Sequence, residues 1–333
     1  MAEYEVANKT YVKSNNRTSL IIARYTYTLI AFTILILLIN LIIGSKELVL
    51  SSLKSIGVSL IVATIITYII NITRKKYRFL DIFTKDNTIA IALIIGLFGI
   101  NINIYITIIA IIITLIIKHF TKNINLSSTL YGIFFILLYN YFTSNINTPL
   151  LILKELNYDI EVSKIINDGG GILTYLFGLN NLSPLLSLIM FSYLFYKKGI
   201  KYNIFIYYIL TIFIIMLIFG LFKGEIWLVF ILLLSDPLLF LATYTITDYK
   251  NSPTIGETQM IYGIILGVMS AILRFVIPSF SVVLPMLIGS LLLVKPLDNL
   301  TPQIKYKKKV FNITLGISFI LVIITAIFLA IIF

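Results

Sequence analysis

Apolar residues run through this chain in blocks about as long as a lipid bilayer is thick, with short polar breaks between them. Ile30 to Ile43 and Tyr202 to Phe222 are the clearest blocks. A hydrocarbon core of ~30 Å takes about 20 helical residues at 1.5 Å each. No water reaches backbone N–H and C=O groups in that layer, so each block is expected to close its hydrogen bonds as a helix. The two-residue alternation of barrel strands is missing. The pattern predicts segments at roughly 25–43, 47–72, 86–98, 102–117, 128–144, 183–196, 202–222, 226–247, 258–274, 280–294 and 310–333. The third and sixth are short, and either can enter the membrane without crossing it. The expected fold class is an all-α integral membrane protein of about ten to eleven transmembrane helices.

The breaks set the organisation. A cytoplasmic N-terminal segment (1–24) leads into a first helical membrane half (25–144). An external loop containing a glycine run (145–182) separates it from a second half (183–333). With the N-terminus in the cytoplasm, alternate breaks hold Arg74, Lys75, Lys76 and Arg78, then Lys118 and Lys122, then Lys197, Lys198 and Lys201, and finally Lys305, Lys307, Lys308 and Lys309. These positions account for half of the 26 basic residues, and other predicted cytoplasmic positions hold several more. That is the positive-inside bias of a multi-pass protein of the cell (inner or plasma) membrane. The net charge of +12 is read as this bias and not as affinity for nucleic acid.

Composition narrows the chemistry. Charged residues are only 12% of the chain against ~25% in soluble domains, too few to keep a folded surface in water. With no cysteine, the chain itself holds no disulfide, thiolate zinc site or cysteine-ligated iron–sulfur cluster. A single histidine, His119, excludes a bis-histidine haem. No cleavable signal peptide is expected, because the first twenty residues lack an apolar core. Motifs for hydrolytic or ATP-driven chemistry are also missing.

Acids inside apolar runs are functional candidates. Asp236 stands in Leu234-Ser235-Asp236-Pro237-Leu238, where the proline removes a helix hydrogen bond and leaves carbonyls beside a carboxylate. That arrangement suits a cation on its path, or a structural kink with a paired acid. Asp86 and Glu257 each open a segment, where a carboxylate also complements the helix dipole. Arg274, near the end of its segment, is expected to snorkel or to pair with an acid. A faint internal echo relates Asp86-Asn87-Thr88 and Gly96 to Glu257-Thr258-Gln259 and Gly267, as in transporters built from two related halves.

Several strings resemble one family, formed by the B subunit of the sodium-pumping NADH:quinone reductase and the D subunit of the Rnf electron-transport complex. Thr247-Asp248-Tyr249-Lys250-Asn251-Ser252-Pro253-Thr254, followed by Gln259-Met260-Ile261-Tyr262-Gly263, Gly267 and Leu273-Arg274, is the most specific match. Pro296-Leu297-Asp298, Asp86-Asn87-Thr88 with Gly96, and Lys118-His119-Phe120 are similar to further family strings. The resemblance implies two inverted helical repeats with broken helices. It also implies flavin mononucleotide (FMN) joined through its phosphate to a threonine, with riboflavin as a further flavin. The matching stretch is Asp168-Gly169-Gly170-Gly171-Ile172-Leu173-Thr174, in which Gly171, Ile172 and Leu173 replace the family's small residues. Thr174 would carry the flavin, with Asp168, Gly169, Gly170 and Gly171 beside its phosphate. Asp248 joins Asp86, Asp236 and Glu257 as a candidate for the ion path. The implied function is a membrane subunit of a redox-driven translocase. It would couple electron transfer to Na+ or H+ movement, with other membrane and flavin or iron–sulfur subunits as partners. A flavin-free channel or transporter on the same scaffold is the alternative, and a lipid-modifying enzyme a third reading.

Overall fold

The computed structural model of the chain describes residues 18–43, 46–74, 87–100, 102–120, 128–143, 176, 179, 182–197, 199–223, 237–247, 252–306, 316, 320 and 322–324. All regular structure among them is helical. In chain order it comprises α1 (Thr18–Ile43), α2 (Lys46–Arg74), α3 (Thr88–Phe98), α4 (Ile104–Phe120), α5 (Ser128–Thr143), α6 (Pro184–Tyr196) and α7 (Tyr202–Lys223). Then come α8 (Leu238–Leu241), which passes into a π-helical turn (Ala242–Ile246), and α9 (Gly256–Val276). α10 (Val283–Ile288) continues through a second π turn (Gly289–Leu293) into α11 (Val294–Tyr306).

Among the described residues five stretches are long and apolar enough to cross a bilayer: Ile21–Ile43, Lys46–Ile70, Tyr202–Phe222, Gly256–Val276 and Val283–Leu300. The protein is a multi-pass, all-α membrane protein. The two short segments read from the sequence are short helices. α3 has 11 residues and α6 has 13, about 16 and 20 Å of axis at 1.5 Å per residue, less than the ~30 Å core. α6 begins where Ser183 accepts the N–H of Leu186, with Pro184 in the first turn.

α2 shows how the sequence chooses its faces. Leu50, Leu53, Ile61, Ile65 and Ile69 point outward, whereas Ser52, Ser55, Ser59 and Thr67 are buried. Lipid is as apolar as leucine, so the hydroxyls and small residues turn inward, where they bond and pack. Ser55 and Ser59 donate to the carbonyls of Gly96 and Ala92, 2.9 and 2.8 Å away on α3. Gly96 allows that approach, since a Cβ there would lie 2.6 Å from Ser59 Oγ and 2.8 Å from Ile56 Cα. α3 is apolar on every side and buried from Thr88 to Leu97, so it forms a central post and not a lipid-facing span.

The two halves pack in a parallel order. α1 packs on α3 as α6 packs on α8, and α2 packs on α3 and α4 as α7 packs on the first π turn and α9. Between the halves, α1 meets α6 and α5 meets α10. This order equates α3 with α8, and hence the Asp86-Asn87 approach with Asp236-Pro237. The sequence echo had paired α3 with α9. It picked up a shared packing device: Gly263 and Gly267 of α9 lie against α7 (Ile204, Tyr208, Thr211) as Gly96 lies against α2.

Candidate functional site

Three polar or aromatic groupings stand out in the bundle. The first holds the strap that precedes α9. Lys201, only 8% exposed, donates to the carbonyl of Ser252 at 2.8 Å. Gln259 Nε2 donates to the carbonyls of Pro253 (3.1 Å) and Thr254 (3.3 Å). Asp298 Oδ1 on α11 accepts from the Thr254 N–H at 2.9 Å and its hydroxyl at 3.1 Å. Backbone that is neither helix nor strand has no partners of its own, and three side chains from three elements supply them here. Arg24 at the start of α1 reaches the carbonyl of Lys197 at 2.8 Å, which binds the first half to the same end.

The second grouping sits at the start of α3. Lys118 Nζ donates to Thr88 Oγ1 at 3.1 Å, and Thr88 shares a 3.3 Å hydrogen bond with Thr67. The buried Oδ1 of Asn87 has no hydrogen-bond partner among the described residues. An ammonium and the positive end of a helix dipole meet at this point, which favours a negative group beside them.

The third is a row of rings through the centre. Phe98, at the end of α3, lies 6.3 Å from Phe240, which is 5.0 Å from both Phe32 and Tyr244. Tyr244 is 5.4 Å from Tyr25 edge-on, and Tyr25 donates its hydroxyl to the Tyr244 carbonyl. The row joins the two halves across α1, α3 and α8.

Of the residues singled out by sequence, Glu257 is placed: it is half-buried in the first turn of α9, the position that complements the dipole. Asp86, Asp168, Gly169, Gly170, Gly171, Thr174, Asp236 and Asp248 lie outside the described residues. Pro237 is the N-cap of α8, so that helix begins at the residue after the proline. Arg274 is 2% exposed at the end of α9 and so does not snorkel to the surface. Lys201, Gln259, Thr254 and Asp298 are the residues whose joint role sequence reasoning missed. Gln259, Thr254 and Asp298 were visible only as family strings, and Lys201 only as a loop charge. No group of three or more histidine, cysteine or acidic side chains able to hold a metal occurs among the described residues.

The clamp fixes loops and helix ends at one end of the bundle. The strings brought together there are those of the family resemblance, and the sequence matches the model of the NQR2, RnfD, RnfE family across residues 5–307. The chain belongs to that family. No curated protein matched it. The NQR2, RnfD, RnfE family comprises membrane subunits of Nqr- and Rnf-type complexes, and this chain is a membrane subunit of that type. Within it, the contacts of Thr254, Gln259 and Asp298 show why those strings occur together: they form one clamp.

Proposed function

We propose that this family member is a flavin-carrying membrane subunit that couples electron transfer in an Nqr/Rnf-type complex to the movement of Na+ or H+. The family match over residues 5–307 carries this reading. Its partners would be the other membrane and flavin or iron–sulfur subunits, since a chain without cysteine must receive electrons from elsewhere. The clamped end, with Arg24, Lys118 and Lys201, is assigned to the cytoplasm, with the N-terminus on that side. Asp86 stands two residues before the start of α3, so its carboxylate is the candidate for the negative group favoured beside Lys118 and Thr88. Asp236, Asp248 and Glu257 are the other acids assigned to the ion path.

For the flavin, the donor set of the 168–174 stretch is chemically apt. Successive glycine N–H groups (Gly169, Gly170, Gly171) suit a phosphate, and the Thr174 hydroxyl suits a phosphoester. FMN, when bound, supplies one- and two-electron chemistry; the chain contributes attachment, orientation and exclusion of water. Ile172 and Leu173, bulkier than the small residues of the family string, favour the second reading, a flavin-free channel or transporter on this scaffold.

In-gel fluorescence of the denatured, full-length protein purified from its native membranes separates the two. The redox reading expects a fluorescent band that Thr174→Ala abolishes. A fluorescent band that persists in Thr174→Ala at full stoichiometry removes Thr174 as the anchor. A dark wild-type band, with no free flavin in the native preparation, overturns flavin carriage and leaves the transporter reading.

A further inference from the structure

α4 and α9 end alike. Lys118 is the third residue from the end of α4, and Arg274 the third from the end of α9. The two helices are counterparts in the packing of the halves, as α3 and α8 are. At the start of α3, Lys118 donates to Thr88. We infer that Arg274 serves the start of α8 in the same way and is the counter-charge of Asp236, with Lys118 that of Asp86. The bundle then holds one acid–base pair toward each membrane face, each on the acid that leads into a short central helix.

Depth along the bundle brings Arg274 to that place. Thr245, in the first π turn, donates to Met286 Sδ at 3.2 Å. One turn beyond Met286, a Cβ on Gly289 would stand 2.4 Å from Leu266 Cδ2 and 3.3 Å from the Tyr262 ring. Thr245 is thus about level with Leu266 of α9. Pro237 lies ~12 Å back along α8 from Thr245, and Arg274 lies ~12 Å onward along α9 from Leu266, at 1.5 Å per residue. α8 leads toward the strap and α9 away from it, so both steps go the same way. They end level with each other. Asp236 lies outside the described residues but directly precedes Pro237, as Asp86 directly precedes Asn87.

Burial calls for the partner. Arg274 is 2% exposed, and a charge so enclosed is held with an opposite charge and hydrogen bonds. The acids among the described residues are Glu47, Glu257 and Asp298. Glu257 is ~25 Å from Arg274 along α9, Asp298 holds Thr254 before that helix begins, and Glu47 is exposed at the start of α2. The two pairs stand at opposite ends. α2 follows α1 after two residues and runs back toward the Arg24 end, where its Thr67 meets Thr88, so Lys118 is near the clamped end. α9 starts at that end and finishes, with Arg274, at the other. A mobile cation then reaches Asp86 or Asp236 only by displacing Lys118 or Arg274. That exchange rests on the ion-path reading; the pairing does not.

Thermal unfolding of the full-length chain in detergent tests both, in sodium chloride and in choline chloride of equal concentration. Asp236→Asn and Arg274→Gln each strand a partner and should lower the unfolding temperature by several degrees, whereas the double variant should recover about half of the summed loss or more. Arg274→Lys, which keeps the charge, should stay nearer the wild type. If Arg274→Gln yields no folded protein, folding of the double variant is the same recovery. The cycle of Asp86→Asn with Lys118→Gln should show coupling at the other end. Losses that add in the Asp236–Arg274 cycle overturn that pair, and coupling there without coupling at Asp86–Lys118 overturns the matched arrangement. Exchange predicts that Arg274→Gln gains a stabilisation by sodium over choline, which Asp236→Asn then removes. Coupling with no such sodium effect keeps the pair and overturns the exchange.

Discussion

Lys201 carries its charge into a nearly closed environment and donates to the backbone carbonyl of Ser252. A hydrogen bond from a charged donor is worth ~1.5–3 kcal/mol, and its loss strands a buried carbonyl as well. Lys201→Met is therefore expected to loosen the strap before α9. Trypsin should cut after Lys250 several-fold faster than in the wild type, read as the appearance of the two fragments on a gel; an equal rate would mean that Gln259 and Asp298 hold the strap unaided. The sequence showed the side of the membrane on which Lys201 belongs, because loop charges follow a statistical bias. It did not show the partner. That partner is a carbonyl 51 residues away, and neither spacing nor residue type marks a carbonyl. The same limit applies to Arg274, whose burial depends on neighbours that a single hydropathy window does not see.

At the scale of elements, the hydroxyl ladder between α2 and α3 is the most exposed to test. Gly96→Ala places a carbon 2.8 Å from backbone at Ile56, which cannot yield as a flexible side chain can. Overpacking of this kind costs ~1–3 kcal/mol. Ser59→Ala loses one interhelical bond, worth ~0.6 kcal/mol on average in membranes. Thermal unfolding in detergent should rank them in that order, with Gly96→Ala the more damaging; the reverse ranking would locate the stability in the hydroxyl and not in the close approach. Element positions were largely legible: the 86–98 segment became Thr88–Phe98, and the 202–222 segment became Tyr202–Lys223. The 280–294 segment proved incomplete, because the helix runs on to Tyr306. Apolar content marks only the part of a helix that meets lipid, and Val294–Tyr306 carries polar residues along its length. Pro296 has no N–H for the carbonyl of Leu292, and the π turn Gly289–Leu293 lies where that bond would be.

At the scale of the whole molecule, the loops predicted to share a side do meet: Arg24 with Lys197, Lys201 with Ser252, and Thr254 with Asp298. A chain with no native cysteine is ready for single-cysteine labelling. With the clamped end in the cytoplasm, a membrane-impermeant maleimide should label Lys46→Cys in intact cells and Tyr196→Cys only after permeabilisation. The opposite pattern would invert the orientation. Class and order of helices could be read from the sequence because lipid imposes a simple rule on every span. The site was less legible, since its candidate acids were chosen one at a time, whereas the contacts that gather Thr254, Gln259 and Asp298 depend on chain segments far apart. The turn that follows α3 is level with Ser55, about 13 Å below the start of α2 at 1.5 Å per residue, so polar surface dips well into the layer. Water filling that dip would shorten the path over which a membrane voltage falls, from ~30 Å of hydrocarbon toward the ~16 Å of α3. The work on a crossing charge would stay at ~2.3 kcal/mol per 100 mV, but the local electric field would nearly double, and a charge that shifts by a few ångströms beside that helix would sense a correspondingly larger share of the voltage.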